Sequence, residues 1–300
     1  MSQVVESSAR SRSAFEDIYR DVPREQRELL TRFRATHAER RLDLDGVEWS
    51  YYASGPEGGP ALLLLPGAIG KAEVAFRHIL EFESDYRVIA PDYPLVPTVK
   101  RLLDGLVLLL DAERVESVII IGGSVGGGLA QCMVREYPER VSHLILSHTG
   151  VPNPQRAKLS GLGMAVMRLL PISWFRAGLR WEISSLLSSA GDEKEFWRAY
   201  FRELVQGLNK EQLVSGYERA IDLEQHYTFT SHDLKDWPGR ILILESDNDT
   251  IIKAAERARL KALYPQAQTH TFIGAGHGAS IVRREEYTQV VRSFLSAVAA

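Results

Sequence analysis

Ser117-Val118-Ile119-Ile120-Ile121-Gly122-Gly123-Ser124-Val125-Gly126-Gly127-Gly128 decides the fold, because an apolar β-branched strand stops at glycines that bracket one serine. A G-x-S-x-G turn from strand to helix holds its central residue in a strained conformation, and only small neighbours leave room for the chain to fold back. Gly122 and Gly126 occupy those positions, with Ser124 at the tip. The spacing predicts a helix over Val125–Glu136, whose first-turn N–H groups would face the same point and suit developing negative charge. A glycine-rich turn after a strand can instead cradle phosphate, but no lysine follows Gly128, and a dinucleotide fingerprint would sit near the start of its domain. The stretch therefore reads as a presented nucleophile.

A serine hydroxyl needs a histidine to take its proton, and the histidine needs a carboxylate to fix its tautomer. Behind such an elbow the order along the chain is serine, acid, histidine. Arg240-Ile241-Leu242-Ile243-Leu244-Glu245 reads as a buried strand that runs into Ser246-Asp247-Asn248-Asp249. Asp249 is the favoured acid because it precedes the aliphatic pair Ile251 and Ile252, and Asp247 is the alternative; either could also serve as a turn residue or helix cap. A second short strand, Thr269–Ile273, leads into Gly274-Ala275-Gly276-His277-Gly278, where small residues let an imidazole reach over the sheet. Of the eight histidines, His277 alone combines a glycine-rich loop, a preceding strand and the expected order. The oxyanion donors are expected to be the backbone N–H groups of Val125, after the nucleophile, and of Ala68, in Pro66-Gly67-Ala68-Ile69-Gly70 after the strand Ala61–Leu65.

With these pieces in view the chain resembles an α/β-hydrolase over nearly its whole length: Leu65-Pro66-Gly67 after strand three, Gly122-Gly123-Ser124-Val125-Gly126 at the elbow, Asp249, and Gly274-Ala275-Gly276-His277. Within that superfamily Phe33-Arg34, Tyr52-Ala53-Ser54-Gly55-Pro56, Phe76-Arg77-His78-Ile79-Leu80, Tyr86-Arg87-Val88-Ile89-Ala90, Tyr93-Pro94 and Leu129-Ala130-Gln131 resemble the maspardin-like branch. Two departures bear on the oxyanion loop. Pro66-Gly67 stands where many members carry His-Gly, and the segment after strand four, usually rich in glycine, is Asp92-Tyr93-Pro94-Leu95-Val96-Pro97. The resemblance implies a mostly parallel central sheet flanked by helices, with a helical cap inserted after the sixth strand. It implies a serine hydrolase acting through an acyl-enzyme; the maspardin-like branch implies a binding or adaptor protein as the alternative.

Elsewhere the pattern agrees. Strands are expected at Val47–Ala53, Tyr86–Pro91 and His143–Ser147, with a helix over Thr98–Glu113, and such alternation implies an α/β fold. Residues 1–41 read as a helical extension, with Ser13-Ala14-Phe15-Glu16 as a capping box and Leu29, Leu30 and Phe33 packing on the body or on a second copy in a homodimer. The core is then 42–150 and 236–300, with 151–235 as the cap. The cap holds Leu169, Leu170, Trp174, Phe175, Trp181, Phe196, Trp197, Tyr200, Phe201 and Tyr217, which suit either the roof of an apolar pocket or the core of a helical bundle. His148, directly after the sixth strand, reads as structural rather than catalytic.

The 300 residues are 45% hydrophobic and 25% charged with a formal charge of −3, which gives no broad attraction for nucleic acid. No apolar run reaches membrane-spanning length, since Leu102–Leu110 is interrupted by Asp104 and Gly105. The single Cys132 cannot form an intrachain disulfide, and the acidic residues among Met1–Arg41 argue against a signal or transit peptide, so a cytoplasmic location is expected. His226 and His232 lack spaced partners for zinc, and neither metal nor cofactor is expected. The expected reaction is acyl transfer from a small apolar ester to water through Ser124, His277 and Asp249, with lactone, amide and C–C bond hydrolysis open to the same triad.

Overall fold

The computed structural model describes residues 15–155, 171–187 and 191–299. Ser13, Ala14, Leu169 and Leu170 lie outside the described residues, as does the side chain of Trp181. Eight strands form one sheet: β1 (Arg40–Leu44), β2 (Val47–Ser54), β3 (Ala61–Leu65), β4 (Arg87–Pro91), β5 (Val118–Gly123), β6 (Val141–Ser147), β7 (Ile241–Ser246) and β8 (Gln268–Phe272). Their order across the sheet is β1-β2-β4-β3-β5-β6-β7-β8. The β1–β2 and β2–β4 pairs are antiparallel and all the others parallel.

Around the sheet, among the described residues, lie the helices α1 (Arg24–Thr36), α2 (Phe76–Phe82), α3 (Val99–Ala112), α4 (Val125–Glu136), α5 (Ile172–Leu186), α6 (Lys194–Gly207), α7 (Lys210–His226), α8 (Ala254–Leu263), α9 (Ala279–Val282) and α10 (Arg284–Ala299). A strand turns successive side chains to opposite faces, so a fully apolar strand feeds two cores at once. In β3, Leu62 and Leu64 join the cluster holding Phe76 of α2 and Phe294 of α10. Leu63 and Leu65 join the cluster holding Leu106 of α3 and Met133 of α4. Helices therefore cover both faces, and the carboxyl ends of β3, β5, β6 and β7 converge at one edge of the layers.

The strand β1 departs from the sequence expectation, because it begins at Arg40, inside the expected helical extension. Its sequence, Arg40-Arg41-Leu42-Asp43-Leu44, is mostly charged because it is an edge strand reached through a tight turn, where Asp45 and Gly46 both adopt positive φ. Of the aromatics in residues 151–235, the four on α6 fill core. Phe196, Trp197 and Tyr200 of α6 are buried with Phe76 and with Tyr19 of the N-terminal segment. Arg34 of α1 fastens the same region by binding Glu73 at 2.7 Å and Glu203 of α6 at 3.0 Å. Trp174 is exposed. Among the described residues no helix is long and apolar enough to cross a membrane.

Candidate active site

Ser124 sits between β5 and α4 with φ 51° and ψ −118°, a conformation that costs a non-glycine residue about 1–3 kcal/mol and persists only where its surroundings impose it. The neighbouring glycines make it possible. A Cβ on Gly122 would lie 2.5 Å from the Gly126 carbonyl, and one on Gly126 would lie 2.2 Å from the Leu65 carbonyl. Contacts from the adjacent strand hold the turn: the Ser124 N–H donates to the Ser147 carbonyl at 2.9 Å, and Thr149 Oγ1 donates to the Ser124 carbonyl at 2.7 Å. Nothing in the sequence marks Thr149 for this role.

Asp249 lies in the loop after β7 and is buried. Its Oδ1 accepts the N–H groups of Ile251 at 2.8 Å and Ile252 at 3.0 Å, so the aliphatic pair that favours it in the sequence supplies its donors. Its Oδ2 pairs with Nδ1 of His277 at 2.9 Å. A carboxylate only accepts, so Nδ1 carries the hydrogen of this bond. Burial raises the Asp249 pKa, but the hydrogen bond and charge of His277 and the two backbone donors outweigh it, leaving the carboxyl below its usual value. Asp247 does different work. Exposed, it accepts the Gly274 N–H at 2.8 Å, while Asn248 accepts the Gly276 N–H at 2.7 Å; together they tie the β7 loop to the loop carrying His277.

His148 is buried with φ 48° and packs edge-on against His277, ring centroids 5.9 Å apart. Its two ring nitrogens meet Ser147 Oγ and Ser246 Oγ at 3.0 and 2.8 Å. Burial, then the charge of His277, pushes its pKa down to about 3, so it stays neutral near pH 7. Among the described residues no hydrogen bond joins Ser124 Oγ to His277, a link that often tightens only once substrate is bound.

The loop Pro66-Gly67-Ala68-Ile69-Gly70 runs beside the serine, since a Cβ on Gly67 would stand 3.6 Å from Ser124 Cβ. Asp92, in the segment after β4, accepts the Ala72 N–H at 2.7 Å and pairs with Lys71. A cavity of about 320 Å³ opens over Ser124, walled by Val125, Thr149 and Ile252 and roofed by Tyr217 and Ile221 of α7. Of the cap aromatics named from the sequence, Tyr217 alone lines it among the described residues. A wider groove of about 890 Å³ runs along α10 beside Glu81 and contains none of these residues. Cys132 is buried on α4, and burial pushes its thiol pKa up, which removes it as a nucleophile.

The chain belongs to the alpha/beta hydrolase family, whose model matches residues 62–291. Among similar proteins, maspardin of Danio rerio is 35% identical over 276 residues, covering 88% of this chain and 84% of that protein. A 2-hydroxymuconate semialdehyde hydrolase of Pseudomonas putida is 29% identical over 266 residues, covering 80% of this chain and 88% of its own. A hydrolase from Pseudomonas aeruginosa PA01 shares the fold with a TM-score of 0.72 at 21% identity, over 87% of this chain and 99% of that one.

Proposed function

We propose that this protein is a serine hydrolase acting on small, largely apolar carboxylic esters through an acyl-enzyme. The observation that carries the reading is the buried Asp249–His277 hydrogen bond, in a fold that also holds a serine at positive φ in the wall of a cavity. Ser124 Oγ attacks the ester carbonyl as His277 Nε2 takes its proton, and Asp249 stabilises the imidazolium. The N–H groups of Val125 and Ala68 hold the oxyanion, each worth ~10²–10³ in rate. The alcohol leaves with the proton from His277, and water activated by the same ring releases the acid. A cavity of about 320 Å³ lies at the small end of ligand sites, which favours a short acyl group.

The Pseudomonas putida relative is a semialdehyde hydrolase by name, so C–C bond hydrolysis belongs to the same reading. A binding protein on this fold is the second reading, drawn from the likeness to maspardin, and the retained acid–histidine pair weighs against it. A cytoplasmic location is part of the proposal and rests on the lone unpaired cysteine. The test is turnover of short-chain p-nitrophenyl esters by the wild type and Ser124→Ala. Activity lost in the variant at an unchanged melting temperature supports the reading; equal activity in both overturns it.

A further inference from the structure

Two positions at which the chain departs from its family's usual pattern, Pro66 and Tyr93, meet in the fold. Tyr93 Oη donates to the Pro66 carbonyl at 2.7 Å, and the Tyr93 N–H donates to the Gly70 carbonyl at 2.8 Å. Gly70 has φ +66°, and a Cβ there would come 2.9 Å from the Tyr93 ring, so residues 66–70 wrap around that ring. The Pro66 carbonyl is itself wedged against the elbow, where a Cβ on Gly126 would approach it to 2.6 Å. One phenol thus holds the peptide that precedes Gly67 and Ala68.

The cap reaches the same ring. Arg219 of α7 is 6% exposed, its guanidinium carbon lies 5.2 Å from the Tyr93 ring centroid, and its Nη1 donates to the carbonyls of Pro94 at 3.2 Å and Val96 at 2.9 Å. No carboxylate pairs with it among the described residues. A buried cation is costly unless other groups replace its water, and here two carbonyls, the Ser215 hydroxyl at 3.2 Å and an aromatic face do so. Beside it, a Cβ on Gly216 would stand 3.6 Å from the Ala68 carbonyl, so α7 lies directly over the loop of residues 66–70. Burial pushes the Tyr93 pKa up, which keeps the phenol a donor.

We infer that Tyr93 is a positioning residue for the loop carrying the Ala68 N–H, and that Arg219 is the cap residue that holds Tyr93 in place. The inference rests on the hydrolase reading above. A loop whose carbonyl is released can rotate its neighbouring peptides, and small misplacements of a donor are felt in the transition state rather than in substrate binding.

The test compares wild type, Tyr93→Phe and Arg219→Lys on a p-nitrophenyl ester, with melting temperature and affinity for an aryl trifluoromethyl ketone, whose tetrahedral adduct presents the oxyanion. Tyr93→Phe is expected to lower kcat about tenfold or more, to weaken the ketone by a similar factor, and to leave KM within about twofold at a melt close to wild type. Arg219→Lys should shift the same quantities in the same direction by less, and it provides the reading should the phenylalanine variant not fold. Unchanged kcat and ketone affinity, or a loss confined to KM, overturns the inference while the hydrolase reading stands. A wild type that neither turns over esters nor binds the ketone overturns both.

Discussion

Nδ1 of His277 donates to Oδ2 of Asp249 at 2.9 Å, joining two loops 28 residues apart that are also stitched by Asp247 and Asn248. The pair and its stitching separate the roles of two aspartates that stand two positions apart. Asp249→Asn keeps the shape but can present an N–H to Nδ1, favouring the wrong tautomer. It should lower kcat by about 10³–10⁴. Asp247→Asn retains an oxygen for the Gly274 N–H and should leave kcat nearly unaltered. Steady-state ester kinetics on both variants check this.

How much of the site is legible in the sequence follows from the range of the interactions. The elbow glycines and the loop around His277 can be read because each is a local requirement on chain geometry. Asp249 can be preferred over Asp247 because its donors, Ile251 and Ile252, are its own neighbours. The contacts that Tyr93 and Thr149 make are not legible in the sequence, since each acts on a carbonyl distant in sequence, Pro66 and Ser124. The strand β1 escapes a sequence reading because its charges hide the alternation of Leu42 and Leu44, although Asp45-Gly46 is a hairpin signal. The α6 aromatics cannot be assigned between roof and core from the sequence, because the answer depends on Phe76 and the N-terminal Tyr19 packing against them.

The elbow glycines differ in what they tolerate. Gly126→Ala drives a methyl into the Leu65 carbonyl and should cost about 1–3 kcal/mol of stability, more if the turn opens. Gly123→Ala meets no atom within 4 Å and should change stability by less than about 1 kcal/mol. Urea denaturation of the two variants makes the comparison.

His148 gives the fold an acid-sensitive element. Its folded pKa is depressed from 6.5 to about 3, so between those values the unfolded chain binds the extra proton and stability falls as pH falls. The slope from this one group should approach about 1.4 kcal/mol per pH unit. His148→Asn, which tolerates the positive φ, should flatten the decline between pH 6 and pH 4. Denaturation midpoints across that range decide it, and an unchanged slope would mean that His148 does not stay neutral.

Arg34 holds α1 to the segment before α2 through Glu73 and to α6 through Glu203. Arg34→Ala leaves two part-buried carboxylates without their shared cation and should destabilise the protein by about 1–3 kcal/mol. Hydrogen exchange should rise in α1 and α6 before it rises in β5. Uniform exchange across the chain would contradict that placement of the weak point.

The most direct measurement is labelling of the purified, folded protein with a fluorophosphonate, followed by mass mapping of the adduct, because it reports an activated serine without requiring the natural substrate. The account predicts a single adduct at Ser124, abolished in Ser124→Ala and strongly slowed in His277→Ala. A folded wild type that stays unlabelled while a control hydrolase reacts, or an adduct on another residue, would contradict it.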